Sequence, residues 1–152
     1  MMKHLRQWVM SAAVLLSSVA MADPATSIFK SYQDVYNQAS KLVPGAELWE
    51  GGFTYFDESG EEWTWDYDDA FLTTEGERLL IVAFGDGEVL TDMDLVITDV
   101  AGAEVAKDVD EDNFAVVDFV APGGTLTITM RAFETKRANE GYGGYMIFRI
   151  AK

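Results

Sequence analysis

Cysteine is missing from all 152 residues, and histidine occurs once, at His4. Without cysteine there is no disulfide framework, no thiolate nucleophile and no thiol to carry a lipid. His4 lies in a segment that reads as a removable leader, so the chain beyond it has no imidazole. Ser-His-Asp and Cys-His arrangements are therefore excluded, and so is a zinc site of the usual Cys/His kind. Carboxylate, lysine, tyrosine and Ser/Thr remain as candidate catalysts, and such donors suit hard cations such as calcium. Positive charge is scarce as well: 11 Lys+Arg face 26 Asp+Glu, for a formal net charge of −15. So acidic a chain is a poor ligand for nucleic acid, whose counterions only Lys and Arg displace. Disorder is excluded by what is plentiful, 49% hydrophobic residues including 12% aromatics. The length suits one domain.

Residues 1–22 carry the marks of a secretory signal peptide. Lys3, His4 and Arg6 form a basic start, Trp8 to Val19 an apolar run, and Ala20-Met21-Ala22 a small-x-small cleavage site. The run is shorter than the ~20 residues a membrane anchor needs. Cleavage would leave 130 residues beginning at Asp23, with 9 basic against all 26 acidic residues, a net charge of −17. The expected location is periplasmic or secreted.

Beyond the leader the periodicity predicts one helix and then strands. Over 27–43, Ile28, Phe29, Tyr32, Val35, Tyr36, Ala39, Leu42 and Val43 fall on one helical face. Thr26 or Ser27 can cap the start, Lys41 suits the last turn, and Pro44-Gly45 stops it; the N-terminal helix region is 23–45. From 46 to 152 the period changes to two, with turn residues every 8–12 positions, as in a sandwich or barrel. Candidate strands are Leu48–Phe56, Trp63–Tyr67, Arg78–Phe84, Asp94–Thr98, Glu104–Lys107, Phe114–Val120, Thr125–Arg131 and Tyr145–Ile150. The Arg78–Phe84 run is apolar enough to be buried on both faces. Gly141-Tyr142-Gly143-Gly144-Tyr145 reads as a mobile loop before the last strand; no Lys-Ser/Thr follows to make it a phosphate cradle. The uneven strands lack the outward apolar band of an outer-membrane barrel.

The stretch from about Ala70 to Ile150 resembles the bacterial pre-peptidase C-terminal domain family. The residues that carry the resemblance are the Gly76-Glu77-Arg78 turn into an apolar strand, Asp92-Met93-Asp94-Leu95 with the Gly102 turn, Val117 to Pro122 with Gly123-Gly124, and the closing Tyr145–Ile150. It implies an all-β, jelly-roll-like antiparallel β-sandwich of about eight strands, preceded here by an amphipathic helix. Such domains are commonly appended to secreted peptidases; with only a helix and one or two strands ahead of it, this chain reads as a free-standing version. The resemblance implies a non-catalytic binding or accessory module for a protein or glycan partner. In some members calcium binds at loops near the N-terminal edge.

Three groups of residues are candidates for chemistry. Asp108, Asp110 and Asp112 have the spacing of a calcium loop, with Asp92 and Asp94 as further donors. The EF-hand form is excluded, because Asn113 and Phe119 stand at its sixth and twelfth positions; the alternative is a solvated acidic hairpin. Trp63, Trp65 and Tyr67 alternate with polar residues, downstream of Trp49, Phe53 and Tyr55. They form either a sugar-stacking platform or part of the core. The competing function is a carboxylate-based hydrolase acting on glycans, using Glu61, Glu62, Asp66, Asp68 or Asp69, although the spacing singles out no pair.

Overall fold

A proline at the start of a helical stretch loses nothing, because the first turn's N–H groups have no intrahelical acceptor. Pro24 accordingly opens helix α1 (Pro24–Leu42), three residues before the expected start, and Thr26 and Ser27 fall inside it. In the computed structural model, which describes residues 24–57, 65–87, 89–135 and 140–151, the helix ends where expected. Val43 still donates to the Ala39 carbonyl, Ala46 donates to Val43, and Gly45 takes φ 79°, which a side chain would resist. The expected leader lies outside the described residues. Among them, no helix is long and apolar enough to cross a membrane.

Eight strands follow: β1 (Ala46–Asp57), β2 (Trp65–Thr73), β3 (Arg78–Gly85), β4 (Leu90–Asp99), β5 (Glu104–Asp108), β6 (Phe114–Val120), β7 (Gly124–Thr135) and β8 (Glu140–Ile150). They pair in two four-stranded sheets, β1-β8-β3-β6 and β2-β7-β4-β5, and every pairing is antiparallel. This order, with strands alternating between sheets, is that of a jelly roll. Among the described residues, the protein is an all-β sandwich with one helix laid on it.

The helix explains the apolar pattern of β3. Leu79, Ile81 and Ala83 face the second sheet and join Met93, Leu95, Ile97, Leu126, Ile128 and Met130 in the core between the sheets. Leu80, Val82 and Phe84 face the other way, where Ile28, Val35, Ala39 and Val43 of α1 cover them with Phe114, Met146 and Phe148. The first sheet is thus buried on both faces, and the second on one. Strand β7 records the difference: Leu126, Ile128, Met130 and Ala132 are buried while Thr125, Thr127, Thr129 and Arg131 alternate with them.

The glycine run 141–145 is not a loop but part of β8, paired with β1. Its glycines serve close approach. A Cβ on Gly141 would lie 2.7 Å from Leu90, and one on Gly144 would lie 2.8 Å from the Phe84 ring. Core side chains pack directly on the strand backbone there, which only glycine allows.

Candidate functional site

Glycines in β1 and β8 also shape the surface. The register sets Gly51 opposite Met146, Phe53 opposite Gly144 and Tyr55 opposite Tyr142, on the sheet face that α1 covers. At Gly51 the missing side chain admits Tyr32 of the helix, whose hydroxyl stands 3.1 Å from where a Cβ would be. At Gly144 it leaves Phe53 without a cross-strand side chain. Phe53 therefore leans on the helix, with ring centroids 4.9 Å from Tyr32 and 5.2 Å from Phe29. Tyr55 packs on Tyr142 at 5.2 Å. The result is an aromatic row from α1 across the end of β1 to β8. Its outer members are widely open to water: Phe29 is 61% exposed, Tyr55 46% and Phe53 43%; Tyr36, two helical turns along α1 from Phe29, is 43% exposed.

The sequence contains a signal for this row in the width of the apolar helix face. At 100° per residue, the eight apolar positions of α1 cover an arc of about 140°. Phe29 and Tyr36 sit on one rim of that arc and Leu42 on the other. Those three are the exposed ones, while Ile28, Val35, Ala39 and Val43 in its middle are buried. Phe53 and Tyr55 were legible only as aromatics upstream of Trp63, and Tyr142 not at all.

Of the expected platform, Trp63 lies outside the described residues. Trp65 and Tyr67 occupy register positions on β2 opposite Ala132 and Met130. They therefore stand on the same strand face as Phe71, which is buried opposite Leu126.

The acidic residues are spread over several tasks. Asp108 is buried at the end of β5, and its Oδ2 accepts the Val116 N–H of β6 at 2.9 Å, tying the second sheet to the edge of the first. Asp112 accepts the Phe114 N–H through Oδ1 at 2.9 Å, and its carbonyl accepts the Met93 N–H at 2.8 Å. The Asp110 carbonyl accepts the Asp112 N–H at 2.7 Å. Asp94 on β4 stands opposite Arg131. Burial pushes its carboxyl up to about 6; the charges of Asp92, Asp108 and Asp110 add to the effect, and Arg131 opposes it. Among the described residues no three acidic groups gather in an arrangement that could hold a metal ion.

Of the acids considered for hydrolysis, Asp69 bridges the sheets. Its Oδ2 accepts the Tyr145 hydroxyl at 2.5 Å and its Oδ1 the Ala70 N–H at 2.8 Å. Asp66 and Asp68 lie on β2 opposite Arg131 and Thr129, and Glu61 and Glu62 lie outside the described residues.

No protein-family model matches the chain, and no curated protein matches it. Among solved structures it is similar to the pre-peptidase C-terminal domain of a collagenase from Bacillus anthracis, at 14% identity and a TM-score of 0.43, over 64% of this chain and 88% of that one. It is also similar to a chain of the Glycosylation Associate Protein (Gap123) complex from Streptococcus agalactiae, at 11% identity and 0.44; this covers 72% of the present chain but only 40% of the other. A third, described as "CBM4 structure and function", matches at 14% identity and 0.41 over 69% of this chain and 78% of that one. At such identities the likeness concerns the fold alone, and the first belongs to the family that residues 70–150 resemble.

Proposed function

We propose that the protein is a non-catalytic binding module of the periplasm or extracellular space, and that it docks a protein partner through the aromatic row of α1, β1 and β8. The observation that carries this reading is the exposure of Phe29, Phe53 and Tyr55 within one row of packed rings. Three rings about half open to water leave on the order of 300 Å² of apolar surface, the size of patch that monomeric proteins often keep for use. The leader-like residues 1–22 support the address. A protein suits the row better than a glycan does. Its rings meet at 55°, 38° and 57°, whereas a sugar-stacking platform presents coplanar faces to the flat side of a pyranose.

The test compares wild type with Phe53→Ser/Tyr55→Ser, both exposed positions. Each is immobilised and challenged with periplasmic extract, and separately run in native gels containing soluble polysaccharides. Retention of a discrete protein by wild type and its loss in the variant, with circular dichroism showing the variant still folded, is the expected outcome. Retardation by polysaccharide, lost in the same variant, would replace the protein partner with a glycan. Equal behaviour of the two proteins in both assays would remove the row from binding.

A further inference from the structure

We infer that the apolar run of the leader-like segment, Trp8 to Val19, covers the aromatic row until the leader is removed, so that processing uncovers the binding surface. This names the regulation of that surface and rests on the row being one. The first argument is where the described chain begins. Helix α1 runs antiparallel to β1: Tyr32 stands over Gly51, and Phe29, nearly one turn closer to the N-terminus, meets Phe53. Continuing the same way, Pro24 lies about 7.5 Å beyond Phe29 at 1.5 Å per residue, and Tyr55 about 6.6 Å beyond Phe53 at ~3.3 Å per residue. The 23 residues ahead of Pro24 therefore join the fold level with Tyr55, at one end of the row.

The second argument is reach. Only Ala20 to Asp23 separate the apolar run from the helix, a link of about 13 Å when extended at ~3.3 Å per residue. Phe29 and Phe53 are 5.2 Å apart, as are Tyr55 and Tyr142, so every ring of the row lies within range of the run. The third is chemistry. Trp8, Val9, Val14, Leu15, Leu16 and Val19 carry no charge and can replace water on rings that are about half exposed. Tethering makes a weak contact sufficient. A linked segment acts at an effective concentration of about a millimolar, so a contact with a Kd of about 0.1 mM between separate molecules closes the row about nine-tenths of the time. A second copy of this chain is the poorer occupant, because the row offers on the order of 300 Å² where a stable interface takes about 800 Å² from each partner.

The chain has no cysteine, so one introduced thiol reports on one place. Tyr55→Cys puts it in the row and keeps the rings of Phe29 and Phe53; Val100→Cys, 83% exposed in the turn after β4, is the reference. Each is made by cell-free synthesis, without signal peptidase, as residues 1–152 and as residues 23–152, and the rate of reaction with a disulfide reagent is measured. The thiol at position 55 should react about tenfold more slowly in the full chain than in the shortened one, and the thiol at position 100 equally in both. Adding Leu15→Ser/Leu16→Ser to the full chain should restore the fast rate at position 55. Equal rates at position 55 in the two chains would overturn the inference. So would slowing at both positions, which means association of whole molecules, or slowing that the serine variant leaves in place. Binding of a periplasmic protein by residues 23–152 is read separately: shielding without a retained partner removes the partner and keeps the cover, and a retained partner without shielding does the reverse.

Discussion

Replacing Asp94 by Asn should stabilise the protein near neutral pH and leave it unchanged in acid. The Asp94 carboxyl is displaced from 3.8 to about 6, first by burial, then by Asp92, with Asp108 and Asp110 adding and Arg131 opposing. Between those two values the native state holds a proton that the unfolded chain has released. Stability from this group therefore falls as pH rises through the window, and the cost is complete above about pH 6. The displacement sets a ceiling of about 3 kcal/mol, and because Asp94 is only partly buried, solvent screening brings the expected figure to about 1 kcal/mol. Asparagine has the shape of the protonated acid and never ionises. Urea melts of both proteins should show the variant ahead by about 1 kcal/mol at pH 7.5, with the difference vanishing near pH 4. Comparing the two proteins at each pH cancels the titration of the other acids. A difference that does not vary with pH, or a variant less stable at pH 7.5, would refute the reasoning; in the second case the attraction to Arg131 outweighs the burial and the three like charges.

Three further outcomes are expected. Calcium and magnesium at matched ionic strength should raise the melting temperature equally, because Asp108 and Asp112 are engaged with backbone N–H groups; a calcium-specific shift abolished by Asp110→Ala would restore the site expected from the Asp-x-Asp-x-Asp spacing. Trp65→Ala should cost about 3–5 kcal/mol, since Trp65 shares its strand face with buried Phe71, and a thermal melt near wild type would make it an outward platform instead. Mass spectrometry of the exported protein should give a chain beginning at Asp23, and a cytosolic chain retaining Met1 would remove the address.

Where local pattern determines burial, the sequence was legible. The unbroken apolar run of β3 announced a strand covered on both sides, and the alternation in β7 announced one covered on a single side. Pro44-Gly45 marked the end of α1. What could not be read depends on partners distant in the chain. Gly144 is a strand residue because Phe84, sixty positions earlier, needs its missing side chain, and no local signal separates that from a loop glycine. Asp108 is legible as an acid in an Asp-x-Asp-x-Asp spacing, but its bond to the Val116 N–H across the sandwich depends on a partner eight residues on in another sheet. The alternation of Trp65 and Tyr67 was visible, but the face they take follows from the pairing of β2 with β7.

The core and the aromatic row come from the same glycines. A side chain at Gly52 would lie 2.7 Å from the Tyr145 ring, so its absence seats Tyr145 between the sheets, where its hydroxyl reaches Asp69. A side chain at Gly144 would displace Phe84 from the helix-facing layer. With neither present, β1 and β8 draw their aromatics inward on one side and have nothing to cover Phe53 on the other. The helix meets that gap with Tyr32 and Phe29, but Phe29 stands on the rim of the apolar arc and only half-shelters Phe53. Filling the gap would have taken one apolar side chain at position 144, and packing Phe84 forbids it. The exposed rings are therefore tied to the way the first sheet is packed.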